Sequence, residues 1–319
     1  MKILFVSSGN RIGINPIIQN QADSLVKKGM EIDFYTIKGK GIRGYLKNIF
    51  LLRNQIRANK YDLIHAHYSF SALTTTLSGA KPLVVSLMGS DVKAGKLYKL
   101  IIRFFSFVFS WSAIIVKSRD MHNDLHVKDA IIIPNGVDMV RFNTMNRVDC
   151  QKQLGWDSDK LHLLFPSNPI RKEKNYDLAV AALKKLSLDD VEIHSLVNIP
   201  NTETVLWYNA ANVVFMTSLW EGSPNAIKEA MACNRPIVTT DVGDVRWVIG
   251  NTEGCYITSY DVDDCANQIK KTIQFSIEKK CTNGRDRIVE IGLDSKSVAQ
   301  KIKAIYDSVL ANVVSEKNF

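Results

Sequence analysis

The feature that most constrains this chain is a repeated alternation of short β-branched runs with longer segments of helical period. "KILFVS" (2–7), "EIDFYTI" (31–37), "DLIHAH" (62–67), "PLVVSLM" (82–88), "AIIVKS" (113–118) and "AIIIP" (130–134) follow one another with helical stretches between them. Strands that are apolar almost throughout, rather than at every second position, belong in a parallel sheet covered on both faces by its crossover helices. The first half is therefore expected to be a doubly wound α/β domain. After a polar stretch at 146–149 the pattern resumes with "LHLLFPS" (161–167), "VEIHSLV" (191–197), "NVVFMTS" (212–218) and "PIVTT" (236–240), which predicts a second α/β unit. Helical periodicity marks 175–187, 202–211, 224–233, 262–276 and 296–310. A length of 319 residues suits two such domains better than one core. The expected division is 1–150, 151–295 and a closing helix, 296–319, packing back on the first domain.

Composition excludes the disordered and membrane-spanning classes, since 46% of residues are hydrophobic and 23% charged. The apolar stretch 97–116 is broken by Lys99, Arg103, Ser110 and Ser112, so it reads as a helix and a buried strand rather than a span. The opening apolar run, Ile3 to Val6, is too short for a signal-peptide core and reads as a strand. Five scattered cysteines without a C-x-x-C pair suggest neither a disulfide framework nor a zinc site, which suits a reducing cytoplasm.

Charge is uneven. Residues 1–150 hold 21 Lys/Arg against 10 Asp/Glu, a net +11, whereas the remainder holds 20 against 22, a net −2. A basic first domain attracts phosphates, nucleic acid or anionic lipid headgroups, and charge alone fits any of them.

Ligands of open α/β sheets bind beyond the carboxyl ends of the strands, so the loops there carry the chemistry. The loop after the first strand, "SSGNRIGINP", offers Gly9 and Gly13 before a helix start but lacks the G-x-G-x-x-G dinucleotide fingerprint. That argues against a nicotinamide oxidoreductase. His65 and His67 share a strand face, and His122 and His126 lie one helical turn apart with Asn123 where a zincin carries Glu; no metal is expected from either pair. The richest segment is "TSLWEGSPNAIKEAMACNRPIVTTDVGD" (217–244). Pro224 opens a helix there, with Glu221 just before it and Glu229 in its second turn, near free N–H groups that favour phosphate or sugar oxygens. Spacing alone leaves open a purely structural role for both glutamates.

The segment "EGSPNAIKE" resembles the Glu-x7-Glu motif of glycosyltransferases of the family 4 type, which have the GT-B fold: two Rossmann-like doubly wound domains facing across a cleft. "DLIHAHYSF", "SLMGSDV", "IIVKSRDM", "IIIPNGVD", "FPSNPIRKEKNYDLAVAAL" and "WYNAANVVFMTS" are similar to further family segments in the family's order. The wording around 215–245 is closest to enzymes of bacterial surface-polysaccharide assembly. The resemblance implies transfer of a sugar from a UDP- or GDP-sugar donor to a lipid-linked or oligosaccharide acceptor. It also implies retention of configuration, no bound metal or other cofactor and no nucleic acid. The place of action would be the cytoplasm, peripheral at the inner face of the cell membrane. It implies that Glu229 holds the ribose hydroxyls, that Glu221 is the catalytic contact to the transferred sugar, and that Ser223, Pro224, Asn225 and Ala226 cradle sugar and phosphate. Lys174 matches the family's diphosphate-binding lysine. The partner arginine usually sits five residues earlier, where this chain has Pro169, and Arg171 is the substitute. Gly13 would contact the donor from the first domain. Met88 stands where many relatives have a histidine, and Asp91 is the candidate to share that residue's sugar or acceptor contact. The alternative reading is a catalytically silent GT-B protein acting as a binding or scaffolding subunit.

Overall fold

The computed structural model describes residues 1–9, 13–39, 41–89, 96–109, 111–127, 129–188 and 190–317. The chain divides into two compact units, Met1–Gly136 together with Ser295–Phe319, and Val137–Asp294. The polar stretch at 146–149 lies inside the second unit, where Asn146 caps a helix by accepting from Asp149 N at 3.2 Å.

The first unit is built on six parallel strands, β1 (Lys2–Ser8), β2 (Glu31–Ile37), β3 (Leu63–His67), β4 (Leu83–Ser86), β5 (Ala113–Val116) and β6 (Ala130–Ile132), in the order β2-β1-β3-β4-β5-β6. Their registers are parallel throughout, as in Ile3↔Ile32 and Ile3↔Leu63. Helices α1 (Pro16–Val26), α2 (Gly41–Ala58), α3 (Ser69–Leu77), α4 (Lys96–Val108) and α5 (Arg119–Leu125) make the crossovers. The apolar stretch 97–116 is the expected helix and strand, and among the described residues no helix is long and apolar enough to cross a membrane. One core cluster joins Leu4, Val6, Ile64, Val85 and Val116 of the strands to Leu52 of α2, Ala72 of α3 and Ile102 of α4.

The second unit repeats the plan with β7 (Leu161–Phe165), β8 (Val191–Ser195), β9 (Val213–Met216), β10 (Ile237–Thr240) and β11 (Cys255–Thr258), all parallel, in the order β11-β10-β9-β7-β8. This is the doubly wound arrangement in which the strand order reverses between the first and third strands, here β7 and β9. The helices are α6 (Arg147–Leu154), α7 (Tyr176–Leu186), α8 (Thr204–Ala210), α9 (Asn225–Ala232), α10 (Val245–Ile249), α11 (Val262–Glu278) and α12 (Gly284–Glu290). Leu163, Phe165, Val213, Phe215 and Val238 pack against Ala179 and Ala182 of α7 and Ile269 of α11. Neither β11 nor α10 was expected from the sequence.

The closing helix, α13 (Ser295–Lys317), belongs to the first unit, where it packs on α1. Its Tyr306 is fully buried, and the hydroxyl lies 2.5 Å from His65 Nδ1. His65 and His67 are core residues, stacked at 4.3 Å, and burial holds both imidazoles neutral by lowering their pKa values, that of His67 to about 3.

Candidate functional site

The switch point of the second sheet gathers two loops, one after β7 and one after β9. The β7 loop ends in a tight 3-10 turn, Lys172–Lys174, closed by Asn175 in the left-handed region at φ 52°. Asparagine tolerates that conformation better than most residues, which lets the chain turn sharply into α7. The two loops are laced together. Leu219 N donates to Glu173 O at 2.9 Å, and Thr217 Oγ1 donates to the carbonyls of Lys174 and Asn175 at 3.0 and 2.8 Å. Thr240 Oγ1 and Tyr260 Oη both donate to the Ser218 carbonyl, fixing the β9 loop from its other side.

Lacing brings two charges together: Lys174 Nζ donates to Glu221 Oε1 in an ion pair, and Ser218 Oγ donates to the same oxygen at 3.0 Å. Lys174 is buried and the Glu221 side chain keeps only 18% of its surface. A buried lysine needs a counter-charge, and Glu221 supplies it. Arg171 is not drawn into this pair. Its guanidinium is exposed and bonds Glu173 instead, Nε to Oε1 at 2.8 Å, because the tight turn places its side chain on the outer side.

Pro224 sits at the cap of α9 with φ −69°, Asn225 opens the helix, and Ser223 Oγ donates to Asp244 Oδ2 at 2.6 Å. The cap residue, Pro224, has no side-chain oxygen and makes no side-chain cap bond to the first-turn N–H groups of α9. Gly243 lets the β10 loop press on this turn: its φ is +60°, and a Cβ there would meet the Gly222 carbonyl at 2.4 Å. Glu229, in the second turn, accepts from Tyr208 Oη at 2.8 Å. Burial raises the pKa of Glu229, opposed by the Tyr208 hydrogen bond and by the charges of Lys228 and Arg141. Lys228 is fully buried one residue earlier, its pKa lowered by burial against the pull of Asp244 and Glu229.

Of the residues singled out from the sequence, Glu221, Lys174, Ser223, Pro224, Asn225, Ala226 and Glu229 therefore lie on the loops and helix at one end of the second sheet. Gly13 belongs to the first unit, with φ +80° and open space where a Cβ would stand. Met88 is buried there. Asp91 lies outside the described residues. Sequence reasoning missed Tyr208, Lys228 and Asp244; each lies within a motif that was noticed, but nothing local marks a tyrosine as a glutamate's partner or a lysine as buried.

Two doubly wound parallel units in one chain, the second with charged groups at its switch point, define a protein of the GT-B class. The solved structure of Anabaena Alr3699/HepE in complex with UDP and glucose matches 97% of this chain and 100% of its own with a TM-score of 0.76, at 16% identity. Residues 13–141 match the family described as glycosyltransferase family 4, and residues 159–274 match that described as glycosyl transferases group 1. The chain belongs to the family 4 type of glycosyltransferases. TuaC of Bacillus subtilis, which bears the name of a teichuronic acid biosynthesis glycosyltransferase, is 25% identical over 66% of this chain; the match spans 61% of TuaC, under two thirds of its length. An Escherichia coli UDP-Gal:alpha-D-GlcNAc-diphosphoundecaprenol alpha-1,3-galactosyltransferase is 21% identical over 84% of this chain and 80% of its own.

Proposed function

We propose that this chain transfers a sugar from a UDP- or GDP-sugar to a lipid-linked or oligosaccharide acceptor in bacterial polysaccharide biosynthesis, with retention of configuration and by chemistry that needs no metal at the donor site. The observation that carries the reading is the buried Lys174–Glu221 pair beside the uncapped start of α9. Departure of a nucleoside diphosphate builds negative charge on phosphate oxygens while the sugar becomes oxocarbenium-like. A desolvated cation and helix N–H groups stabilise the leaving group without a metal. In this scheme Lys174 meets the diphosphate, the amides of Ser223, Asn225 and Ala226 complete the cradle, Glu221 accepts from sugar hydroxyls and Glu229 from ribose hydroxyls. Glu221 is engaged by Lys174 and Ser218, which disfavours it as a covalent nucleophile and supports a retaining route assisted by the leaving phosphate. A UDP donor is favoured by the UDP in the HepE complex, and a lipid-diphosphate acceptor by the name of the E. coli relative.

Action at the inner face of the membrane is supported by the first unit's surface. Leu46 and Phe50 on α2 and Leu100, Phe104 and Phe107 on α4 are exposed, Phe107 at 86%, among Lys47, Arg57 and Lys99. Exposed aromatics on basic helices suit an anionic bilayer surface. Co-sedimentation with vesicles should require anionic lipid and weaken with salt; binding indifferent to both would remove this part of the proposal.

The central test is a thermal-shift screen of nucleotide sugars followed by a transfer assay on the donor that stabilises the chain. Glu221→Ala and Lys174→Ala should abolish transfer. Absence of stabilisation by every donor would overturn the reading.

A further inference from the structure

The second sheet holds a cluster that the sugar-transfer reading does not use. His162, second residue of β7, stands opposite Glu192, second residue of β8, and His194 lies two residues further on the same side of β8. His162 Nδ1 is 2.9 Å from His194 Nε2, and Glu192 Oε2 is 3.8 Å from each of those nitrogens. We propose that these three atoms form a structural site for a zinc-class divalent cation.

The geometry carries the proposal. A triangle with sides of 2.9, 3.8 and 3.8 Å has one central point about 2.1 Å from every corner, which is the distance at which Zn²⁺ takes imidazole nitrogen and carboxylate oxygen. The ligands are also oriented as metal ligands are. His162 Nε2 donates to the Asp157 carbonyl at 2.7 Å, which fixes its tautomer and directs the Nδ1 lone pair into the cluster. Lys160 Nζ donates to Glu192 Oε1 at 2.6 Å, leaving Oε2 to face the histidines. Trp156 stacks on the His194 ring at 3.6 Å and 6°, holding its plane. His162 is fully buried, whereas His194 and Glu192 keep 17% and 37% of their side-chain surface, so a cation can enter and a water can take a fourth position. One rearrangement is needed. Without metal the His194 Nε2 proton fills the short contact to His162 Nδ1, and binding moves it to Nδ1 of the same ring, a tautomer change without change of charge.

Two imidazoles and one carboxylate select zinc, cobalt or nickel over magnesium or calcium. His162 lies three residues, about 10 Å, before the carboxyl end of β7, so the cation would tie edge strand β8 to β7 rather than meet the sugar donor. The inference is independent of the glycosyltransferase reading.

Isothermal titration of the chelator-stripped full chain with ZnCl₂ should show one ion per chain at micromolar or tighter affinity. Glu192→Gln and His194→Gln should each weaken it at least tenfold. Zn²⁺ should raise the melting temperature of the wild type but not of the variants, and bound Co²⁺ should absorb as a low-symmetry, four-coordinate ion. If a variant at His194 does not fold, Glu192→Gln, at a half-exposed position, carries the test alone. No saturable binding, or equal binding by wild type and Glu192→Gln, overturns the proposal.

Discussion

Replacing Lys174 by Met removes the cation from a pair whose two side chains keep 11% and 18% of their surface. Glu221 would then keep the hydrogen bond from the Ser218 hydroxyl but lose its counter-charge while still shielded from water. Breaking a fully buried pair costs about 3–5 kcal/mol, and the residual exposure here reduces the expectation to about 2–3 kcal/mol. For a folding unit of this size, each kcal/mol lowers the melting temperature by about 2–4 °C, so a fall of about 4–12 °C is expected. Glu221→Gln alone strands Lys174 and should cost a similar amount. The double variant, Lys174→Met with Glu221→Gln, leaves no uncompensated charge and should cost only about 1 kcal/mol, so a double-mutant cycle should give a coupling of about 3–5 kcal/mol. The assay is scanning calorimetry of the four proteins, each with and without the stabilising nucleotide sugar. On the proposed reading the double variant is stable but gains nothing from the donor. A double variant that regains both stability and donor response would show the pair to be a structural tie alone, and additive single effects would refute the claim that the two charges depend on each other.

Tyr208→Phe removes the hydrogen bond that holds the Glu229 carboxyl down against burial. Its pKa should rise further, so donor affinity, which needs the carboxylate, should fall several-fold and recover only at higher pH; an unchanged pH profile of binding would contradict this. In the wild type the raised folded pKa of Glu229 means that the carboxyl withholds stability as pH rises from the unfolded value through the folded one. His67 behaves oppositely: the unfolded imidazole takes a proton below about pH 6.5 while the buried one resists to about 3, so stability falls with acid across that window by about 1.4 kcal/mol per unit. Calorimetry between pH 7 and 5 should show this loss, and His67→Gln should reduce its slope while leaving the contribution of the equally buried His65. Gly243→Ala combines a φ of +60° with a 2.4 Å clash against the Gly222 carbonyl, and should cost about 1–3 kcal/mol and loosen donor binding, measured by melting and by titration.

The sheets were legible because the central parallel strands are buried and largely apolar, whereas edge strands β2 and β8, with polar residues at intervals, still carry enough β-branched and aromatic residues to be read. The miss at β11 has a physical cause: it is an edge strand of four residues, half of them incompletely buried, and so short a run does not stand out from its flanks. Five-residue α10 is shorter than two helical turns and shows no period. The placement of Glu221 before α9 and of Glu229 in its second turn was readable because a Gly-Ser-Pro turn fixes where that helix starts. What could not be read was pairing at a distance. Lys174 and Glu221 are brought together by hydrogen bonds between two loops, and Tyr208 reaches Glu229 from α8. Arg171 was chosen by its nearness in sequence to Lys174, but a 3-10 turn separates neighbouring side chains by direction, and Glu173 lies within its reach. His162 and His194 meet only through the register of β7 with β8, which no local pattern reveals.

The Lys174–Glu221 pair has one more consequence on the proposed reading. Lys174 cannot be buried without a negative partner, and in the absence of donor that partner is Glu221. A diphosphate brings oxygens of the same sign to the same ammonium, so it competes with Glu221 and frees that carboxylate to accept from sugar hydroxyls. The two roles assigned to these residues are then successive states of one exchange. Glu221→Gln separates them: with the competing charge gone, a bare nucleoside diphosphate should bind at least as tightly as to the wild type, while transfer of the sugar is lost. Titration with UDP and with GDP, beside a transfer assay, measures both. If the variant loses diphosphate affinity together with transfer, Glu221 is not a competitor for Lys174 but the group that holds the lysine in position, and the exchange does not occur.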